Sequence, residues 1–143
     1  MTAPIVNAAE EIKELLAEGG FTQEFTPHRV YIQFSRLEEI TGLEVWVQPR
    51  EHNITRLTRE RSQNDYVVDI GIFKRCADTA ATDSMLELAD EIYRFLHDTE
   101  LDSGKILRDI EIPTIYSPDD LLQLNLFACV ITVTVTDDGT SGS

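Results

Sequence analysis

The sequence is poor in cysteine, histidine and tryptophan, and it has no long apolar run. Its 143 residues include two cysteines, too few for a disulfide scaffold. We therefore expect Cys76 and Cys129 to be reduced thiols in an intracellular setting. No apolar run approaches the roughly 20 residues of a transmembrane helix, so we expect no membrane partner. The N-terminus lacks the basic start and the apolar stretch of a secretory signal.

Catalytic motifs are missing as well. The sequence contains no G-x-S-x-G, no P-loop and no G-x-G-x-x-G. Its three histidines, His28, His52 and His97, lie far apart and do not have the spacing of zinc ligands. We therefore expect a protein that is not an enzyme, with no catalytic residue, no cofactor and no metal.

Two pairs of adjacent carboxylates are the best remaining candidates for chemistry. A divalent-metal or acid–base site is one interpretation of Asp119-Asp120 and of Asp137-Asp138. For the first pair, a helix cap that follows Pro118 is the favoured interpretation. For the second pair, the favoured interpretation is a solubilising start to a disordered tail.

Basic residues are scarce, at 12 Lys and Arg against 26 Asp and Glu, which gives a net charge of −14. Nucleic acid phosphates repel so acidic a chain, so we expect no tight binding to DNA or RNA. Residues 50–75 are an exception, with six basic and four acidic residues. This basic island could contact an acidic surface, including that of another copy of the chain. The alternative is that the acids only keep the protein soluble.

Size and composition predict one domain. Hydrophobic residues make up 42% of the chain, enough to build a core, and 143 residues is a usual length for one domain. We expect residues 1–136 to form a single domain. Residues 137–143 have little to bury and are expected to be a flexible tail.

Two segments have the apolar period of an amphipathic helix. The first begins at Pro4, which suits the first helical turn, and ends at Gly19-Gly20. The second is predicted to begin near Ser84, which has the capping-box spacing to Glu87, and to run to about His97.

Five segments have the two-residue period of a β-strand. They are residues 30–34, 43–48, 66–72, 106–112 and 127–136. Pro49 is expected to end the second of them. The order of helix, three strands, helix and two strands predicts an α+β fold. In this fold a mostly antiparallel sheet of about five strands has two helices packed on one face.

The connection of residues 50–64 contains four of the nine arginines. Extension of the flanking strands into this connection would form a protruding hairpin arm. If residues 56–61 are extended, Arg59 and Arg61 project from one face of the arm and Arg56 projects from the other.

These arginines are the candidate site. Arginine makes bidentate bonds to carboxylates, so we predict Arg50, Arg56, Arg59 and Arg61 as subunit-interface residues. An ordinary solvated hairpin is the alternative. Trp46, on the polar side of its strand, is a predicted interface anchor. A position under the arm would bury its ring equally well.

Taken together, the pattern resembles the tail terminator proteins of long-tailed bacteriophages, also called tail completion or head–tail joining proteins. The resemblance covers roughly residues 3–136. It is carried by the order and spacing of the first helix and of four segments: Leu-Glu-Val-Trp-Val-Gln-Pro, Asp-Tyr-Val-Val-Asp-Ile-Gly-Ile, Leu-Glu-Leu-Ala-Asp-Glu-Ile-Tyr-Arg-Phe-Leu and Leu-Phe-Ala-Cys-Val-Ile-Thr-Val-Thr-Val.

The resemblance implies a structural virion protein without catalysis or cofactor. Such subunits form a six-fold ring that caps the tail tube, stops its elongation and joins it to the head or neck. The implied partners are further copies of the chain, the tail tube protein and a head-completion or neck protein. The genomic DNA would pass through the lumen without specific binding. The implied location is the tail or neck of the virion, after assembly in the host cytoplasm.

Other functions fit the same pattern. Within the virion, a head-completion or neck adaptor and a tail-tube subunit are alternatives. Outside it, an acidic DNA mimic would bind a basic DNA-processing protein, and a metal-dependent hydrolase would use Asp119 and Asp120.

For the ring that the resemblance implies, the net charge of −14 suits a lumen through which DNA slides without sticking.

Overall fold

A computed structural model describes residues 3–21, 23, 25–29, 42–56, 58–59, 62–76, 78–97, 106–114 and 126–137. Within these ranges the chain has two helices and a five-stranded mixed sheet that is mostly antiparallel, so the predicted α+β fold is confirmed. In chain order the elements are α1 (Pro4–Glu18), β1 (Pro27–Arg29), β2 (Glu44–Arg56), β3 (Ser62–Arg75), α2 (Thr79–His97), β4 (Ile106–Thr114) and β5 (Leu126–Asp137).

The first helix has the predicted bounds. Proline occupies its first turn, and the Gly19 N–H donates to the Leu15 carbonyl at 3.1 Å where the helix ends. One stripe of the helix is buried because its small and branched apolar residues recur at helical spacing. The buried residues are Ala8, Ala9, Ile12 and Leu16.

The second helix begins five residues before the predicted start. Asp78 caps it, because its Oδ1 accepts a hydrogen bond of 2.8 Å from the Ala81 N–H. Ser84 lies inside the helix, and its hydroxyl donates to the Ala80 carbonyl at 3.1 Å. The prediction of a capping box at Ser84 was therefore wrong, whereas the predicted end at His97 is confirmed.

The strands lie in the order β1-β2-β3-β5-β4. The pairs β2–β3, β3–β5 and β4–β5 are antiparallel, and β1 pairs in parallel with β2 over three residues. The observed β1 comes before the predicted strand at 30–34, which lies outside the described residues. The predicted strands at 106–112 and 127–136 correspond to β4 and β5.

Pro49 does not end its strand, contrary to prediction. β2 runs through it to Arg56, and a β-bulge lies between Pro49 and Glu51. A bulge is one of the few places where a sheet tolerates a residue without an N–H. In the described part of the chain, β1 flanks β2 only as far as Val47, so no described strand requires a donor from Pro49 on that side.

The core lies between the two helices and one face of the sheet, which we call the helix face. β3 contributes Tyr66, Val68, Ile70 and Ile72 to it, and β5 contributes alternate residues from Phe127 to Val135. These side chains are at most 3% exposed. The opposite face, which we call the second face, carries the remaining residues of each strand. β5 extends to Asp137, the first residue of the predicted tail, and residues 138–143 lie outside the described ranges.

Candidate functional site

The strands β2 and β3 extend into residues 50–64, which we call the arm. Their pairing continues from Glu51 opposite Val67 to Arg56 opposite Ser62. All six residues from 51 to 56 are exposed. The predicted extension of the strands into a hairpin is therefore confirmed. β3 pairs with β5 only from Asn64, which lies opposite Asp137, towards the body of the sheet. Between Asn64 and the tip of the arm, β2 is the strand that pairs with β3 among the described residues.

Three of the four predicted arginines can be placed on the arm. Arg50 lies at the bulge and points its guanidinium to Asp69, with 3.5 Å between Nη1 and Oδ1. Arg56 ends β2, and its Nε donates to the Thr58 carbonyl at 3.3 Å. Arg59 is exposed in the connection between the strands. Arg61 lies outside the described residues.

The predicted directions of the arginines depend on residues 56–61 being extended, and residues 58 and 59 do not meet this condition. β2 ends at Arg56 and β3 begins at Ser62, because the chain must reverse its direction between them. Residues 58 and 59 lie in a bend. Arg56 and Arg59 are therefore not required to point to opposite faces of the arm, as they would be in an extended strand.

The bulge decides which side of the sheet the arm residues face. Before it, Val45 and Val47 lie on the helix face; after it, His52 and Ile54 pair with Tyr66 and Asn64 and lie on that side. The His52 ring packs on the ring of its partner Tyr66, with 4.6 Å between ring centroids. Its Nε2 lies 3.0 Å from the Asn64 side-chain oxygen. These contacts fix the base of the arm.

Ile54 is the large hydrophobic side chain that the described residues leave exposed, at 65%. Arg56 follows two positions later on the same side of β2, about 7 Å along the strand. The arm therefore presents an apolar group and a guanidinium next to each other on its helix-face side. Both are groups that interfaces between proteins use.

Trp46 lies on the second face, away from the arm. It is half-buried, and its ring packs on Phe73 with a centroid distance of 4.7 Å. Gly71 lies directly opposite Trp46, and a Cβ there would be 2.5 Å from Cε2 of Phe73. The missing side chain makes room for the Phe73 ring. The described ring contact of Trp46 is therefore with Phe73, and the interface role of Trp46 stays a prediction.

The second face carries a row of four carboxylates, two of which accept hydrogen bonds from threonine hydroxyls. Thr132 Oγ1 donates to Asp69 Oδ1 at 2.7 Å, and Thr136 Oγ1 donates to Asp65 Oδ1 at 2.8 Å. On β4, Asp109 and Glu111 are exposed and pair with residues of β5 on the same face. The threonine hydroxyls donate to the two aspartates of β3 and orient their side chains, so this face presents acidic groups in defined positions.

A cavity of about 500 Å³ opens at the C-terminal end of α1, and we call it the cup. Its walls include the last turn of α1, the glycines that follow and two phenylalanines. Phe21 and Phe25 stack at 5.4 Å, and Phe21 meets Phe95 of α2 edge-on at 5.2 Å. The lining includes Leu16, Ala17, Gly19, Phe21, Gln23 and Phe25. The sequence prediction missed this site; its signal is the pair of aromatic residues after the Gly-Gly helix end.

The α1 end beside the cup is negative. The last turn of α1 contains no basic residue; Glu18 is exposed in that turn and Glu14 is exposed just before it. Carboxylates at a helix C-terminus oppose the helix dipole, so this end attracts cations. Earlier in α1 the charges are compensated, because Glu10 accepts a hydrogen bond of 2.5 Å from Arg29 and lies 3.5 Å from Lys13. The Arg29 hydrogen bond is the main reason why the pKa of Glu10 is lowered.

The candidates for chemistry that the structure describes do not form a metal centre. His28, His52 and His97 lie on β1, the arm and α2. Of the carboxylate pairs, Asp119-Asp120 lies outside the described residues and Asp137 ends β5, while Asp138 is not described. Within the described ranges, no group of three or more potential ligands is placed to hold a metal ion.

Both cysteines are buried free thiols. Burial raises the pKa of the Cys129 thiol to about 12 and also raises that of Cys76. Neither thiol is therefore activated as a nucleophile, since the thiolate is the reactive form.

Among the described residues, no helix is both long and apolar enough to cross a membrane. No known family model matches the chain, and no significant match exists among curated proteins. The surfaces that remain as functional candidates are the arm, the cup and the carboxylate row of the second face.

Proposed function

We propose that the chain is a structural subunit of a bacteriophage tail. Copies of it form a ring, a hexamer by the resemblance stated above, on the finished end of the tail tube. The ring stops elongation of the tube and joins it to the head or neck. The subunit acts by assembly and not by catalysis, in the virion and without a cofactor.

The observation that carries the proposal is the exposed arm on an acidic body. A closed ring needs two different surfaces on each subunit, one for each neighbour. The arm carries Ile54, Arg56 and Arg59 in exposed positions. The rest of a chain with net charge −14 offers carboxylates to such a group. A basic arm and an acidic body give one subunit two different surfaces that could meet in a head-to-tail contact.

The carboxylates also support passage of DNA through the ring. Phosphates adhere to a surface through Lys and Arg, and they are repelled by Asp and Glu. An acidic ring therefore gives the genome a channel without strong binding sites.

Removal of the gene from the phage or prophage that carries it tests the proposal. Electron microscopy of the resulting particles is expected to show filled heads beside detached, overlength tails. A plasmid copy of the wild-type gene should restore virions of normal tail length. Tails of normal length beside leaky heads would instead indicate a head-completion adaptor. Intact infectious virions would refute a structural role in the particle.

A further inference from the structure

We propose that the arm of one subunit docks into the cup of a second copy of the chain. In this contact Ile54 packs on Ala17 and on the phenylalanines of the cup, while Arg56 binds the carboxylates of Glu14 and Glu18. The proposal deepens the proposed function and rests on it only for the closure of successive contacts into a ring.

The chemistry of the two surfaces is complementary. The arm offers an exposed isoleucine and, on the same side, a guanidinium. The cup offers two half-buried phenylalanine rings among glycine, glutamine and threonine residues and, beside them on α1, two exposed carboxylates. Guanidinium groups bind carboxylates and also stack on aromatic faces.

The helix end adds a second reason for a cation at the cup. The Gly19 N–H donates to the Leu15 carbonyl, which is the last helical hydrogen bond of α1 among the described residues. The next three carbonyls, those of residues 16–18, accept no hydrogen bond from within the helix. These carbonyls and Glu18 all favour positive charge at the end of α1, whose last turn contains no basic residue. A guanidinium from outside the subunit would donate to such acceptors.

The topology requires that the arm come from another copy. The cup includes Phe25, which lies two residues before Pro27, and Pro27 pairs with Val45 near the start of β2. Ile54 lies nine residues further along the same strand, so the two surfaces are about 30 Å apart. Both lie on the helix side of the sheet. Each subunit can therefore place its arm in one neighbour and receive an arm from another, which is a heterologous contact.

Disulfide trapping between variants that each carry one added cysteine tests the contact. Ile54→Cys and Ala17→Cys change exposed side chains, and the two native cysteines are buried. The two purified proteins are mixed with a copper–phenanthroline oxidant, and the rate of heterodimer formation is measured on non-reducing gels. The matched control pairs Ile54→Cys with Ala80→Cys, because Ala80 is also an exposed helix alanine but lies on α2.

We expect the arm–cup pair to be trapped at least about tenfold faster than the control pair, which is the factor that a modest binding preference gives. Glu14→Arg with Glu18→Arg in the Ala17→Cys protein should abolish the difference. Arg56→Glu in the Ile54→Cys protein should then restore it, because the charges are exchanged. The proposal would be overturned if the two pairs were trapped at equal rates, or if the charge substitutions left the trapping rates unchanged.

The contact and the tail function can fail separately. If trapping fails while deletion of the gene still gives overlength tails, the subunit terminates tails through another contact. If trapping succeeds while the deletion leaves intact virions, the arm–cup contact holds and the tail assignment is wrong.

Discussion

Gly71→Ala should destabilise the protein and change the fluorescence of its single tryptophan. The new Cβ would lie 2.5 Å from Cε2 and 2.8 Å from Cζ of Phe73, so the ring must move away from Trp46. An aromatic pair contributes about 0.5–1.5 kcal/mol beyond its buried area. Replacing a strand glycine by alanine stabilises the folded state by about 0.5–1 kcal/mol. Crowding in a packed core destabilises it by about 1–3 kcal/mol, and the loss is smaller here because the Phe73 ring is half-exposed and can move. We expect a net loss near 1 kcal/mol, or about 3 °C in Tm.

Urea unfolding followed by tryptophan emission and circular dichroism measures this effect. We expect a lower midpoint and a red-shifted native emission, because Trp46 loses its cover. Gly42→Ala is the control, since a Cβ there meets nothing within 4 Å. In a Phe73→Leu background the same Gly71→Ala change should become neutral or stabilising, because no ring has to move. A wild-type spectrum and midpoint for Gly71→Ala would refute the described packing.

Three further changes test other contacts. Asp78→Ala should lower the free energy of unfolding by about 1 kcal/mol because it removes the α2 cap, whereas Ser84→Ala should change it little; the reverse order would restore the capping-box prediction. Glu10→Gln should destabilise the protein above about pH 4.5, and the difference from wild type should shrink as pH falls through the lowered pKa of Glu10; a pH-independent difference in urea titrations would contradict the Arg29 bond. Iodoacetamide at pH 8 should modify neither Cys76 nor Cys129 in the native protein and both in urea, as counted by mass spectrometry; fast native modification would contradict their burial.

Local patterns in the sequence identified most elements of this fold. The apolar stripe of α1 and the alternation in β5 are strong because each element buries one complete face. The start of α2 was missed because its first turn, Thr79–Thr82, carries no apolar stripe, and Asp78 caps it without a glutamate three residues later. Tertiary packing further along the helix supports that turn.

The candidate site was only partly predictable. The arm follows from the length and composition of residues 50–64, but the bulge at Pro49 was not expected. Alternation counted from Trp46 would have placed Ile54 on the second face. The two phenylalanines after Gly19-Gly20 are a local signal for the cup, but the contact of Phe21 with Phe95 could not be predicted, because these residues lie far apart in the chain and meet only in the fold.

The bulge also restricts the lengths that the arm can have. Side chains alternate between faces, so adding one residue to each strand between the bulge and Ile54 would turn Ile54 and Arg56 away from the helix side. Adding two residues to each strand would keep their orientation and extend the reach by about 7 Å. Arm length can thus change only in two-residue increments if the same side chains are to be presented. In the proposed arm–cup contact, arms that differ by one increment would hold neighbouring subunits at spacings that differ by about 7 Å.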